Sequence, residues 1–383
     1  MEIINQGRVE VMSEFTKWVA CWGNATSIID QTACTYAKDI TLRYPIKMCF
    51  DGSKIRIRLS NIAGREAVTM NVYADKNQLT KDGSKDITIN PGEEVTTDEL
   101  AMNVMRGQII NVSIYLPTYT DMNSGVLITG PLSSGFYSYG NHGMEDELPR
   151  DLTRKTNWFY FLNTIDVFTS EENKALICFG DSITAQSWPD YLTLRLEKLG
   201  VTSTSIIRRA ISGTRILRQY ECITYAAYGI KGETRFPVEV NTAGADRVII
   251  QHGINDIIHP VGEDVNPWRP WSDLPTVDDM CKGVEEFYVN KARELGMKVY
   301  AGTLLPIYGW RTYEPMRDEL RNGYNDWLRT AMIFDGVADF DKAVADSVDS
   351  RKFADGFDSG DHLHPSEAAY EAMAECIPEE YLR

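Results

Sequence analysis

Apolar and polar residues alternate along much of the first half of the chain. Ile55, Ile57 and Leu59 alternate with Arg56, Arg58 and Ser60, the pattern of a half-buried strand. Val68, Met70 and Val72 repeat it. So do Ile110, Val112, Ile114 and Leu116, and Pro117 ends that run. Turn signals at 61–64, Asp82-Gly83 and Pro91-Gly92 punctuate these strands. Short strands so separated predict a β-sandwich of jelly-roll type, with 158–168 as its last strand. A charged connector, 170–174, follows. Beyond it the pattern changes. Apolar runs at 175–179, 205–207, 247–251, 298–303 and 336–340 read as strands. Helical spacing links Trp188, Tyr191, Leu192, Leu194 and Leu196, with Gly200 as a stop. A second helix opens on the capping-box-like Thr276-Val277-Asp278-Asp279 and runs to Leu295, stopped by Gly296. Two more fit 316–332 and 365–376, with Pro365 at a first helical position. Alternating strands and helices predict a mostly parallel sheet with helices on both faces. The expected division is a β-sandwich over 1–170 and an α/β domain over 171–383. No internal repeat or low-complexity segment interrupts it.

Size and composition narrow the partners. A chain of 383 residues with 43% hydrophobic content suits a globular protein of two or three domains. A net charge of −16 argues against nucleic acid or an anionic membrane, since both need basic surface. No run approaches a membrane span. The amino-terminal MEIINQGRVEVMSEF is charged throughout and lacks the apolar core of a signal peptide. The seven cysteines are scattered, with no CxxC pair, so neither a zinc site nor a disulfide framework is indicated. Free thiols in a reducing cytoplasm are the simplest account, with removal of a signal as the alternative.

The candidate chemistry begins at "KALICFGDSITAQSWPDYLTLRL". Here Ser182 stands on a turn between a buried strand and a helix, the carboxyl end of a strand in an open α/β sheet, where ligands bind. A serine nucleophile needs a base, and the base an orienter. Near the carboxyl end, "GDHLHPSEAAYEAMAEC" places Asp361 three residues before His364, so a loop can fold that carboxylate onto that imidazole. His362 adjoins Asp361 directly and is poorly placed for the same bond. Two other strand ends offer donors for an oxyanion. "RRAISGTRIL" presents Gly213, where backbone can approach a ligand, and "VIIQHGINDIIHP" presents Asn255 with its amide. Taken singly, each feature is an ordinary turn or cap. Arg208, Arg209, Arg215 and Arg218 cluster around the Gly213 block. They either meet an acidic group on a substrate or pair with carboxylates.

Taken in order, Gly-Asp-Ser-Ile, Ile-Ser-Gly-Thr, Gly-Ile-Asn-Asp and Asp-His-Leu-His resemble the four blocks of the SGNH hydrolases, the GDSL esterase/lipase family. The resemblance implies a flavodoxin-like three-layer catalytic domain. It implies Ser182 as nucleophile and backbone donor, and Gly213 and Asn255 as the other oxyanion donors. Asp361 and His364 complete the triad. No metal or cofactor is implied. "WVACWGNAT", "KIRIRLSNIAGREAVTMNVYA" and "WFYFLNTIDVF" resemble the amino-terminal jelly roll of a two-domain subgroup that includes carbohydrate acetyl esterases. Arg208 stands where the second block usually begins with Asn, and Ala185–Trp188 replaces a Gly-rich turn. Both departures bear on substrate rather than chemistry. The long, Pro-rich segment 261–275 carries Trp268 and Trp271, and Trp188 follows the nucleophile. Exposed tryptophans over a polar cleft suit sugar rings, and packing of the loop onto the body is the competing account. No apolar lid segment suggests lipid. The expected activity is therefore removal of short acyl groups, acetyl above all, from a small-molecule or oligosaccharide ester. A lysophospholipase or acyl-thioesterase on the same fold, and a carbohydrate-binding protein with a vestigial hydrolase half, remain as alternatives. Association into a homo-oligomer is left open.

Overall fold

The computed structural model describes residues 14–28 and 35–383. Nearly all of the charged amino-terminal stretch, and Cys34, lie outside these residues. Two antiparallel sheets account for most of the first half. One sets Phe15–Gly23, Leu162–Ser170, Gly52–Ser60 and Leu100–Val104 side by side. The other is built around Gly135–Tyr139, Ile40–Lys47, Ile109–Leu116 and Val68–Ala74. The inward members of the alternating pattern join in one apolar core. Ile55, Ile57 and Leu59 come from the first sheet, and Leu42, Val72 and Ile114 from the second. The expected final strand over 158–168 is in fact two. Phe161 is buried in a left-handed conformation, with φ of 62°. That kink sends Trp158–Tyr160 to pair with Ser124–Leu127, while Leu162–Ser170 pairs with Phe15–Gly23 and Gly52–Ser60.

The second half is a five-stranded parallel sheet. Its order is Thr204–Ala210, Lys174–Gly180, Ala245–Gln251, Lys298–Gly302, Gly336–Ala338. In chain order this is 2-1-3-4-5, the flavodoxin-like doubly wound arrangement. The chain leaves the first strand in one direction and later returns on its other side. That reversal opens a crevice at the carboxyl ends. The expected helices form, with two adjustments. The helix capped by Thr276 and Asp279 includes a π-helical segment, Glu285–Val289, before it ends ahead of Gly296. Pro365 does not start the last helix. It bridges to Asp358 in extended form, and Ser366 caps the helix Glu367–Cys376 by accepting the Ala369 N–H. No helix among the described residues is long and apolar enough to cross a membrane.

The two halves share a seam. Val19, Ala20 and Phe50 belong to the apolar core of the second half. Ala20 N donates to Ala243 O at 2.9 Å, and Ser205 Oγ donates to Ala20 O at 2.6 Å. Flanked in this way, the strand Thr204–Ala210 is buried along its whole length, arginines included. Arg209 spends its guanidinium on Asn24 O (2.5 Å), Glu239 O (3.1 Å), Thr164 Oγ1 (2.7 Å) and Thr242 Oγ1 (3.2 Å). Burial lowers its pKa to about 10, opposed by Glu239, so it stays cationic at neutral pH. Replacing Arg209 by Leu strands buried carbonyls from both halves. At about 1–3 kcal/mol for a buried polar group left unpaired, a loss of roughly 2–4 kcal/mol is expected, read as a lower urea midpoint. A midpoint equal to wild type would show that the seam does not depend on this side chain.

Candidate active site

The site begins with strand register. Gly180 lies opposite Ala210 on one side and Gln251 on the other, so three adjacent strands end level. The turns that follow carry Ser182, Gly213 and Asn255. A side chain at Gly180 has no room, because a Cβ there would stand 2.4 Å from Gln251 O. Asp181 caps the short helix Ser182–Ala185, accepting the Ile183 N–H at 3.0 Å. Burial pushes its carboxyl up to about 7. It braces the turn rather than facing a substrate.

The loop before the last helix meets this turn. His364 Nε2 stands 2.9 Å from Ser182 Oγ, and His364 Nδ1 stands 2.7 Å from Asp361 Oδ2. The other Asp361 oxygen accepts the backbone N–H groups of Leu363 (3.0 Å) and His364 (2.8 Å). Burial pushes the Asp361 carboxyl up, but the bonds from the His364 ring and from these backbone groups outweigh it and hold it below the usual range. An ionised carboxylate only accepts, so Nδ1 carries the imidazole proton and Nε2 is free to accept from Ser182. His362 is turned away. It adopts φ of 63°, pairs with Asp358 and packs against Gly309.

Gly213 also requires its residue type. Its φ is 83°, and a Cβ would stand 2.2 Å from the Tyr228 ring. Asn255 is buried and donates one amide N–H to Thr214 O at 3.0 Å, which leaves the second unspent. The arginines near this block pair internally. Arg208 meets Asp190 at 2.8 Å and Arg215 meets Asp273 at 3.0 Å.

The three tryptophans divide. Trp188 is not at the surface. It is fully buried, its ring packed on Phe340 at 5.3 Å and its Nε1 donating to Thr184 Oγ1 at 3.3 Å. It faces inward with Leu192 and Leu196, so its expected contact with substrate is corrected to a core role. Trp268 is 53% exposed and Trp271 40%. Trp271 rests on Gly262 and beneath the Arg317 guanidinium, 5.2 Å from its ring. Their loop is tied toward Gly213 through tyrosines absent from the sequence reading. Asn266 Nδ2 donates to Tyr225 Oη at 2.6 Å, Tyr225 stacks on Tyr228 at 5.6 Å, and Tyr228 stacks on His259 at 5.1 Å. The clue lay in "QYECITYAAYG", three tyrosines in one short loop directly after the Gly213 block. Two cavities, about 290 and 240 Å³, lie along the seam, and neither is lined by Ser182, Asp361 or His364.

The model of the GDSL-like lipase/acylhydrolase family matches residues 178–372, just over half of the chain. The chain belongs to this family. It is an acylhydrolase of the ester-cleaving kind. No curated protein compared with it matches. Solved structures similar to it include a putative acylhydrolase of Bacteroides fragilis, at 19% identity. That match covers 55% of this chain and 88% of that one, with a TM-score of 0.37. A GDSL-like lipase of Bacteroides thetaiotaomicron matches at 18% identity over 54% and 87%, with a TM-score of 0.35. An acetylxylan esterase of Geobacillus stearothermophilus matches at 16% identity over 54% and 94%, with a TM-score of 0.38.

The geometry separates the two neighbouring histidines. Substituting His364 with Ala should lower kcat for an aryl acetate by several orders of magnitude, as loss of a triad member does. Substituting His362 with Ala should leave most of the rate. The opposite ranking would reverse the assignment of the base.

Proposed function

We propose that the protein is a serine esterase that removes short acyl groups, acetyl above all, from a carbohydrate. The observation that carries the reading is the continuous bond path from Ser182 Oγ through His364 to Asp361, at 2.9 and 2.7 Å. His364 takes the Ser182 proton as Oγ attacks the acyl carbon, and Asp361 stabilises the imidazolium that forms. The backbone N–H groups of Ser182 and Gly213 and the free amide N–H of Asn255 receive the oxyanion. The alcohol departs with the proton from His364. Water then enters, gives its proton to the same nitrogen, and releases the acid.

The substrate class rests on the loop beyond Asn255. Trp268 is exposed and Trp271 partly so, beside the Arg317 guanidinium, and the tyrosine cluster joins that loop to the Gly213 turn. Such surfaces suit the C–H faces of sugars.

Substitution of Ser182 by Ala tests the reaction. It should abolish ester hydrolysis in a protein with an unchanged melting profile, and retained activity in pure protein would overturn the reading. Among p-nitrophenyl esters, kcat/KM should fall from acetate to butyrate to octanoate. A maximum at octanoate would favour the lysophospholipase or thioesterase alternative.

Replacing Trp268 by Ala should weaken use of an acetylated oligosaccharide more than use of the aryl acetate. Loss of one stacking contact of about 1 kcal/mol corresponds to roughly a fivefold to tenfold effect. Equal losses on both substrates would make the tryptophan structural.

A further inference from the structure

One buried network is not used by the chemistry described above, yet it ends on the oxyanion donors. Thr214 is its centre. Its N–H and its Oγ1 both donate to Ile211 O, at 3.3 and 2.9 Å, closing the turn that holds Gly213. Its carbonyl accepts the Asn255 amide at 3.0 Å. The same carbonyl and the same hydroxyl face His252 Nε2, at 3.1 and 3.0 Å. On the far side of the ring, His252 Nδ1 stands 2.8 Å from Tyr288 Oη.

These contacts fix the tautomer. A carbonyl cannot donate, and the single hydroxyl proton of Thr214 is committed to Ile211 O. Nε2 must therefore carry the imidazole proton and share it between the two Thr214 oxygens. Nδ1 is then an acceptor for the Tyr288 hydroxyl. The ring is 1% exposed, packed edge-on against Phe179 at 5.5 Å. Burial, and secondarily the Arg235 cation, keep it neutral. His252 cannot serve as the base, because its proton-bearing nitrogen is occupied by Thr214 and neither nitrogen reaches Ser182.

We infer that His252 is a positioning residue of the ester-cleaving site, anchoring Thr214 and through it both the Gly213 turn and the Asn255 amide. The inference rests on the proposed oxyanion hole. Without the His252 donor, Thr214 keeps its bonds to Ile211, Arg235 and Asn255, but its carbonyl loses one of the two donors that aim it. Oxyanion donors act in the transition state and must be aimed before it forms. The loss should therefore appear in kcat and spare KM.

Two amide replacements distinguish aiming from filling. Gln at 252 can place its N–H where Nε2 stands and keep the bond to Thr214. Asn reaches only the Nδ1 position, toward Tyr288. Hydrolysis of p-nitrophenyl acetate is measured for His252→Gln and His252→Asn, with kcat expressed per serine titrated by a fluorophosphonate. His252→Gln should lie within about threefold of wild type. His252→Asn should lose tenfold or more in kcat with KM changed less than about twofold, short of the roughly 10²–10³ that deletion of a donor costs. Equal kcat for the two, or a loss confined to KM, would overturn the inference. If either protein is too poorly folded to titrate, Tyr288→Phe decides. It removes the hydroxyl that holds Nδ1, so the ring is anchored from one side only and its Nε2 bond to Thr214 loosens. A kcat loss of threefold or more at constant KM supports the positioning role, and an unchanged kcat overturns it. Wild-type activity that survives Ser182→Ala would instead defeat the serine-esterase reading itself, whatever the His252 variants do.

Discussion

The parallel ladder holds Gly180 level with Ala210 and Gln251, and the site inherits its dimensions from that alignment. Each strand ends where its neighbours end. Three turns therefore emerge together at the crevice made by the reversal of strand order. The turns are short, so Ser182, Gly213 and Asn255 have little freedom to wander once the ladder forms. His364 arrives from outside this set, on the loop ahead of Glu367–Cys376. That loop is self-supporting, since Asp361 binds its own backbone at Leu363 and His364 as well as the imidazole. A rigid triple of strand ends thus receives a preformed pair.

Buried arginines stabilise this arrangement from behind. Arg209 joins carbonyls of both halves, and Arg208 pairs with Asp190 on the helix Trp188–Lys198, which follows Ser182. Arg235 donates to Gly180 O and covers Phe179 at 4.2 Å. Each guanidinium would be costly to bury alone. Here the planar donors are matched to carbonyls, hydroxyls and a carboxylate from several neighbouring elements, which suits Arg and not Lys.

The sequence made the ends of the central strands easy to read, because apolar runs stop there at Gly, Asp, Ser and Asn. Ser182, Gly213 and Asn255 sit at such stops, and Asp361 and His364 were legible instead from their spacing ahead of the last helix. Side-chain direction was harder. Trp188 shares a helical face with Leu192 and Leu196, and that spacing already argued for the core over the cleft. The break at Phe161 left no mark, since nothing in an unbroken apolar run announces a left-handed residue. The roles of Arg208 and Arg209 were equally hidden. Their partners, Asp190, Asn24 and Glu239, are not neighbours in sequence and are recruited only by folding. His252 and Tyr288 belong to the same class: the tautomer that links them follows from three separate segments meeting at the His252 ring.

The distance in sequence between Ser182 and His364 bears on how the protein comes into being. Synthesis delivers Ser182 first, then the turns of Gly213 and Asn255, and only much later Asp361 and His364. A nascent chain whose central strands have already paired holds a serine with no group to take its proton. On the proposed reading, hydrolysis therefore waits until the loop before Glu367–Cys376 docks.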